Sequence, residues 1–249
     1  MCIRDRSWSV DFSLETGETE TIEANIVISA VGQLNRPVVP KFAGQDNYIG
    51  ESFHSARWRH DIDLTDKKVA VIGTGCSAVQ LVPKTAEKAR HLTVFQRTPH
   101  WITPSRDYYR SVEDGIKWAL NYLPGYAEWH RARMIFGFMD RNWSAVVEDP
   151  NWQHKDRSMN EQNDMIRESF TAYISAQLGD RQDLLPKCVP DSPVYGKRPV
   201  IDNDWYKTLA REDVTLADSP IKSFTEKGIL TEDGVKHEFD VIVYATGFN

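Results

Sequence analysis

The segment Gly73-Thr74-Gly75-Cys76-Ser77-Ala78 has the spacing GxGxxA and follows the apolar run Val69–Ile72. In that setting Gly73 permits a tight turn, Gly75 lets the main chain approach a pyrophosphate, and Ala78 lets the following helix lie close to the strand. The first N–H groups of that helix, beginning near Cys76 and Ser77, then face the anion. The spacing points to a dinucleotide, with an ordinary strand-to-helix turn as the plainer alternative. The next strand ends Phe95-Gln96-Arg97-Thr98. An acidic side chain there would bind ribose hydroxyls and repel a phosphate, whereas the Arg97 guanidinium offers paired donors to a 2′-phosphate. Arg97, with Thr98 beside it, therefore favours NADPH, against the plainer reading of a solvated strand-end charge.

A second set precedes the loop. In "GESFHSARW", Gly50, His54 and Trp58 stand at steps of four. Residues four apart share a helix face, so the spacing predicts one stripe with a close-approach point, a titratable ring and an indole. Taken alone, His54 and Trp58 fit core packing better than chemistry. Cys76 reads as a small loop-filling residue, since no partner Cys or His stands beside it to make a reactive thiolate. Cys2, Cys76 and Cys188 are too few and too scattered for a disulfide framework, a zinc site or a CxxC pair. A reducing cytosol is the default location.

These residues need a parallel α/β scaffold to hold them. "VAVIGTGCSAVQ" and "HLTVFQR" predict a strand over 69–72, a helix from about Ser77 to Lys88, and a strand over 92–96, which is one βαβ unit. Before it, residues 8–31 predict a hairpin with its turn at Thr16-Gly17-Glu18, then a buried strand "IVISAVG". Pro37, Pro40, Gly44 and Gly50 mark a connection that begins near Gln33. Residues 107–195 change character, with Trp118, Trp129, Trp143 and Trp152 among many charges. Apolar residues at near-helical spacing in "EDGIKWALNYL" and "EWHRARMIFGFM" predict a helical insertion. Its tryptophans suit a substrate pocket, a membrane surface or a helical subdomain core equally. Sheet patterns return at "VTLAD", "IKSFT", "GILTEDG" and "FDVIVYATG", with Asp233-Gly234 as a turn.

Bulk properties narrow the partners. With 249 residues, 41% of them apolar, and a formal charge of -6, the chain can bury a core and presents no basic patch for nucleic acid or lipid. A small molecule is the expected partner. No apolar stretch reaches membrane-spanning length, and no GxSxG, HExxH or Walker-type loop supports hydrolase, zinc-protease or P-loop chemistry. The opening residues 1–7 read as a non-native leader.

"YIGESFHSARW" closely resembles the FxGxxxHxxxW fingerprint of Baeyer–Villiger monooxygenases, and it stands ahead of a GxGxxA loop and a "VFQRTPHW" strand as in that flavoprotein class. Tyr48 replaces the leading Phe, and Arg59 follows the Trp where Pro or Asp is usual, which leaves ketone oxidation and N- or S-oxygenation both open. "GKRPVIDNDWYKTLA" and the terminal "YATGF" extend the likeness over residues 20–249. The resemblance implies a Rossmann-like NADPH domain over about 66–220, interrupted by the insertion, and a partial FAD-binding domain. In detail it implies FAD-domain strands at 8–35, a fingerprint linker at 36–65, the NADPH βαβ at 66–106, the insertion at 107–195 and a return at 196–220. Strands leading back to the FAD domain would fill 221–249. It also implies that Lys197 faces the NADPH phosphate, that Arg198 faces the flavin and stabilises an anion formed there, and that Gly247 lies at the junction of the nucleotide domains. His54 and Trp58 would couple domain movement to cofactor placement. The implied enzyme uses FAD, NADPH and O2 to oxygenate a ketone or a soft N or S centre of a small organic substrate. An NADPH-dependent flavoprotein reductase and a non-catalytic NADPH-binding module are the alternatives. No flavin-binding GxGxxG loop precedes Val10, so the chain reads as an internal piece, inactive alone.

Overall fold

The computed structural model describes residues 7–105, 107–138 and 140–249, which divide into two compact units. Of the expected leader only Ser7 is described, and Cys2 lies outside the described residues. The first unit comprises the residues up to Arg36 together with Phe248 and Asn249, and the second runs from Pro37 to Gly247.

The first unit is built on β1 (Trp8–Ser13) and β2 (Thr19–Ala24), an antiparallel pair with Trp8 opposite Ala24 and Ser13 opposite Thr19. The turn is the expected one. Leu14 N–H donates to the Glu18 carbonyl at 2.8 Å, and Gly17 takes a φ of 87°, a left-handed value that glycine adopts without a Cβ penalty. "IVISAVG" is not the buried strand expected. Ile28 is 85% exposed, and residues 26–32 join no ladder. An apolar run becomes a strand only where another strand offers its N–H and C=O groups, and the hairpin provides none to it.

The second unit contains β3 (Glu51–His54), β4 (Lys68–Ile72), α1 (Cys76–Ala86), β5 (His91–Phe95), β6 (Ile102–Thr103), α2 (Asp114–Tyr122) and α3 (Tyr126–Phe138). It continues with α4 (Glu161–Leu178), α5 (Leu185–Cys188), β7 (Val200–Ile201), α6 (Trp205–Leu209) and β8 (Val214–Ala217). β9 (Ile221–Thr225), β10 (Gly228–Thr231), β11 (Lys236–Glu238) and β12 (Val241–Tyr244) complete it. Five strands form a parallel sheet in the order β3-β12-β4-β5-β8. Strands covered on both faces must be apolar throughout, which is why "KVAVI", "HLTVF" and "VIVY" show no alternation.

The alternation appears instead in which core each residue enters. Val69 and Val71 join Leu92, Val94, Val241 and Val243 in a core under the helices. Ala70, Ile72, Ile242 and Tyr244 join Phe224, Ile229 and Phe239, which come from and follow the antiparallel sheet β11-β10-β9. α1 presents Ala78, Val79, Val82, Thr85 and Ala86 to the first core, a stripe at helical spacing. Each fully buried Val or Leu in these layers contributes about 1.5–3 kcal/mol of transfer free energy.

Three segment assignments change. Gly50, His54 and Trp58 do not form a helical stripe, because Glu51–His54 is extended and only Ser55–Arg57 is a short 3-10 turn. Hydrogen bonding to β12 overrides the four-residue spacing. The presumed linker over 36–65 therefore supplies an edge strand of the parallel sheet. The strands of 221–249, expected to lead back to another domain, lie in the same unit as the glycine loop, with β12 between β3 and β4. The helical insertion contains α2, α3, α4 and α5, but Trp118, Trp129 and Trp143 are exposed and form no subdomain core.

Candidate functional site

The register of the sheet places the chemistry in one row. His54 aligns with Tyr244, Tyr244 with Ile72, Ile72 with Phe95, and Phe95 with Ala217. Every segment singled out near the loop leaves the sheet at this carboxyl edge: Gly73–Ala78 after β4, Gln96–Thr98 after β5, and Ala245–Gly247 after β12. From β4 the chain steps to β5 and β8 on one side, then returns to β12 on the other. That is the topological switch point at which open parallel sheets bind ligands.

The glycines of the loop have different jobs. Gly73 has a φ of 117°, and a Cβ there would lie 2.4 Å from the Ala245 carbonyl oxygen. It lets two strand-end loops pass in contact. A Cβ on Gly75 would meet nothing within 4 Å. Gly75 is the N-cap of α1 and has no side-chain acceptor, so the first N–H groups of the helix, from Cys76, Ser77 and Ala78, have no intrahelical partner. An open cradle beside unpaired donors at a helix N-terminus fits a pyrophosphate. Ala78 is fully buried, and Cys76 is exposed. Cys188, by contrast, is buried, and burial pushes its thiol up to about 12.

Thr74 joins the loop to the next strand end, its hydroxyl donating to the Thr98 carbonyl at 3.1 Å. Arg97 is exposed at this turn and makes no ion pair among the described residues. Across from it, burial first and the charge of Lys197 second hold His100 below the ordinary histidine value. Lys197, far along the chain, therefore acts electrostatically on the segment that follows Arg97. Arg198 is exposed next to Lys197.

His54 is buried at the end of the edge strand. Its Nδ1 accepts from the Ala56 N–H at 3.1 Å, so a neutral ring carries its proton on Nε2. The Gly247 backbone acts on the ring, and its carbonyl accepts from Val38 N–H at 2.9 Å. Gly247 has a φ of 84°, and the Thr246 hydroxyl donates to the Val38 carbonyl. His54 thus stands at the Ala245–Gly247 turn, and that turn lies against Gly73. Trp58 does something else: it packs edge-on against Phe53 at 5.1 Å and onto the helix-side core. Tyr48 donates its hydroxyl to the Phe239 carbonyl at 3.1 Å, a bond that Phe could not make, and Arg59 pairs with Asp61 and Glu51.

Burial is the main influence on the His54 ring and holds its pKa below the ordinary value, with the Gly247 backbone pulling the other way. An unfolded His54 takes up its proton near the ordinary value of about 6.5, before the folded ring does. The stability due to the neutral ring is therefore complete above about pH 6.5 and is lost as the pH falls toward the folded value. His54→Asn should flatten the decline in melting temperature between about pH 7.5 and about pH 5.5, leaving the share due to His100 and His237, which burial also lowers. An unchanged decline in the variant would remove His54 from this role.

Of the residues singled out in the sequence, the glycine loop, Arg97, Thr98 and Gly247 stand at one edge of the sheet, and Lys197 lies in an exposed segment before β7. Arg198 is exposed next to Lys197, and Trp58 packs against the helix-side core. Sequence reasoning missed β3 as a strand, and it missed Trp101, Asn163 and Arg167, which fix the segment carrying Lys197. No motif marks those three, although "TPHW" places Trp101 one residue after His100.

Residues 7–158 match the pyridine nucleotide-disulphide oxidoreductase family. Over 243 residues the chain is 37% identical to an uncharacterized monooxygenase, y4iD, of Sinorhizobium fredii, covering 98% of this chain and 37% of that protein. It is 33% identical over 229 residues to a Baeyer-Villiger monooxygenase of Streptomyces coelicolor, covering 92% of this chain and 41% of that protein. Among solved structures, oxidized steroid monooxygenase bound to NADP superposes with a TM-score of 0.75 at 27% identity, covering 98% of this chain and 52% of that one. The chain spans from 37% to 50% of the length of the curated relatives it matches.

Proposed function

The chain belongs to the pyridine nucleotide-disulphide oxidoreductase family, in its Baeyer–Villiger and flavin-containing monooxygenase class, and from that premise we propose that it forms the NADPH-binding part of an FAD-dependent monooxygenase. The observation that carries the proposal is the row at the carboxyl edge of the parallel sheet. There an open glycine cradle and a helix N-terminus stand beside the strand end that carries Arg97, and the charge of Lys197 is felt at His100, three residues on.

Each residue has a role in this reading. Gly75 and the N–H groups of Cys76, Ser77 and Ala78 hold the pyrophosphate, and Thr74 and Thr98 keep the loop against the second strand end. Arg97 and Lys197 would hold the 2′-phosphate. His54 and Gly247 brace the turn behind Gly73. The described residues offer a flavin Arg198 and no phosphate-binding turn of its own. When bound, NADPH supplies hydride and FAD supplies the ring that activates O2. Arg198 contributes a permanent positive charge where the two cofactors would meet, which favours negative charge developing there. The substrate is a small organic ketone, or a molecule with a soft nitrogen or sulfur, and O2 is the second substrate.

The test uses a longer protein that contains this chain, supplied with NADPH, FAD and isotopically labelled O2. The expected result is one labelled oxygen atom in the organic product, with NADPH oxidised in proportion. NADPH oxidation without incorporation would make the protein a flavoprotein reductase. Tight NADPH binding with no oxidation would make it a binding module.

A further inference from the structure

Lys197 and Arg198 lie in an exposed stretch, Tyr195–Pro199, that belongs to no helix or strand. Such an arm loses affinity for a ligand unless something fixes it in advance. Its two ends are fixed on one short segment. After the arm, Val200 N–H donates to the Trp101 carbonyl at 2.9 Å, and β7 pairs with β6. Before it, the Trp101 indole N–H donates to the Ser192 carbonyl at 2.9 Å. Tyr195, within the arm, has a φ of 66°, a conformation that a non-glycine residue keeps only when its surroundings impose it.

Just before Tyr195, the Ser192 and Val194 carbonyls are held by one face of α4. Asn163, Arg167 and Phe170 stand at helical spacing on that face. Asn163 Nδ2 donates to the Val194 carbonyl at 2.8 Å and to the Ala145 carbonyl at 3.0 Å. The Arg167 guanidinium lies 5.1 Å from the Trp101 ring centre and donates to the Ser192 and Arg157 carbonyls at 3.4 Å. Phe170 meets the same indole edge-on at 6.0 Å. Arg167 and Trp101 thus converge on one carbonyl, that of Ser192, five residues before Lys197.

We infer that Arg167 is a positioning residue: by stacking on Trp101 and sharing the Ser192 carbonyl, it fixes the arm that carries Lys197 toward the nucleotide phosphate. This rests on the reading of Lys197 as a phosphate ligand. It gives the inserted helix α4 a function at a site to which it contributes no ligand. Lysine cannot replace Arg167 fully, because a compact ammonium lacks the planar face that stacks on the indole.

The experiment takes the full 249-residue chain as wild type, Arg167→Met, Lys197→Ala and the double variant, with Arg167→Lys held in reserve if the Met variant does not fold. Two readouts are taken: hydrogen exchange of the Gly196–Arg198 amides without ligand, and the ratio of NADPH to NADH affinity. Arg167→Met should speed exchange in the arm about tenfold while leaving the β4 and β5 amides slow. It should lower the NADPH-to-NADH ratio about fivefold in the wild-type background and have no further effect once Lys197 is Ala. Unchanged arm exchange, or an affinity loss that adds to that of Lys197→Ala, would overturn the inference. If the arm loosens but Lys197→Ala leaves the ratio unchanged, the phosphate reading of Lys197 fails and the clamp stands. A merely structural role for Arg167 would lower the melting temperature without moving the ratio.

Discussion

Arg97→Ala is expected to weaken NADPH binding about 10- to 100-fold and to leave NADH binding within about twofold of wild type, because a charge-assisted hydrogen bond contributes about 1.5–3 kcal/mol. Arg97 stands at the turn where the second strand of the βαβ unit ends, is exposed, and makes no ion pair among the described residues, so its substitution breaks no structural bond. NADPH differs from NADH only in the phosphate, so the pair of affinities isolates what the guanidinium binds. Arg97→Lys should recover part of the loss, since a point charge persists while the paired donors do not. Calorimetric titration of both nucleotides at fixed salt gives the answer, and equal losses for the two would remove Arg97 from phosphate recognition.

The second large effect separates two glycines that stand two residues apart. Gly73→Ala should destabilise the fold by more than about 3 kcal/mol, since it combines overpacking with a backbone conformation that L side chains avoid. Its Cβ would sit 2.4 Å from the Ala245 carbonyl oxygen at a φ of 117°. Neither the turn nor β12 can withdraw without breaking the sheet. Gly75→Val should instead fold with nearly the wild-type melting temperature, because a Cβ there meets nothing within 4 Å. It should lose NADPH and NADH alike, each by about 100-fold or more, since the side chain would occupy the space that the pyrophosphate needs. Thermal melts and titrations of the two variants check both halves. A Gly75→Val protein that bound either nucleotide normally would make the loop an ordinary turn.

What could be read from the sequence follows the range of the interactions involved. The βαβ unit was legible because its strand pattern, glycine turn and helix stripe all lie within residues 68–95 and are local. The strand assignment of Glu51–His54 was not, because its partner β12 begins at Val241, and a four-residue strand on one edge carries no period of its own. "IVISAVG" misled for the converse reason: apolar composition states that a run can be buried, but only a partner strand buries it. At the site, Gly73, Gly75 and Arg97 were visible because residue type alone restricts what can stand there. Lys197 was visible only through family likeness. The Arg167–Trp101–Ser192 clamp was invisible, since it joins three segments by a stack and a shared carbonyl that no spacing rule encodes.

Hydrogen exchange of the 249-residue chain with and without saturating NADPH locates the nucleotide site. Slowed exchange is expected, in the same experiment, at four separate segments: the first turn of α1 after Gly75, the Arg97–His100 turn, the Gly196–Arg198 arm, and the Ala245–Gly247 turn. Protection confined to other regions, such as the opposite edge of the sheet around Lys67 and Lys68, or no protection at saturation, would contradict the assignment of the carboxyl edge as the nucleotide site.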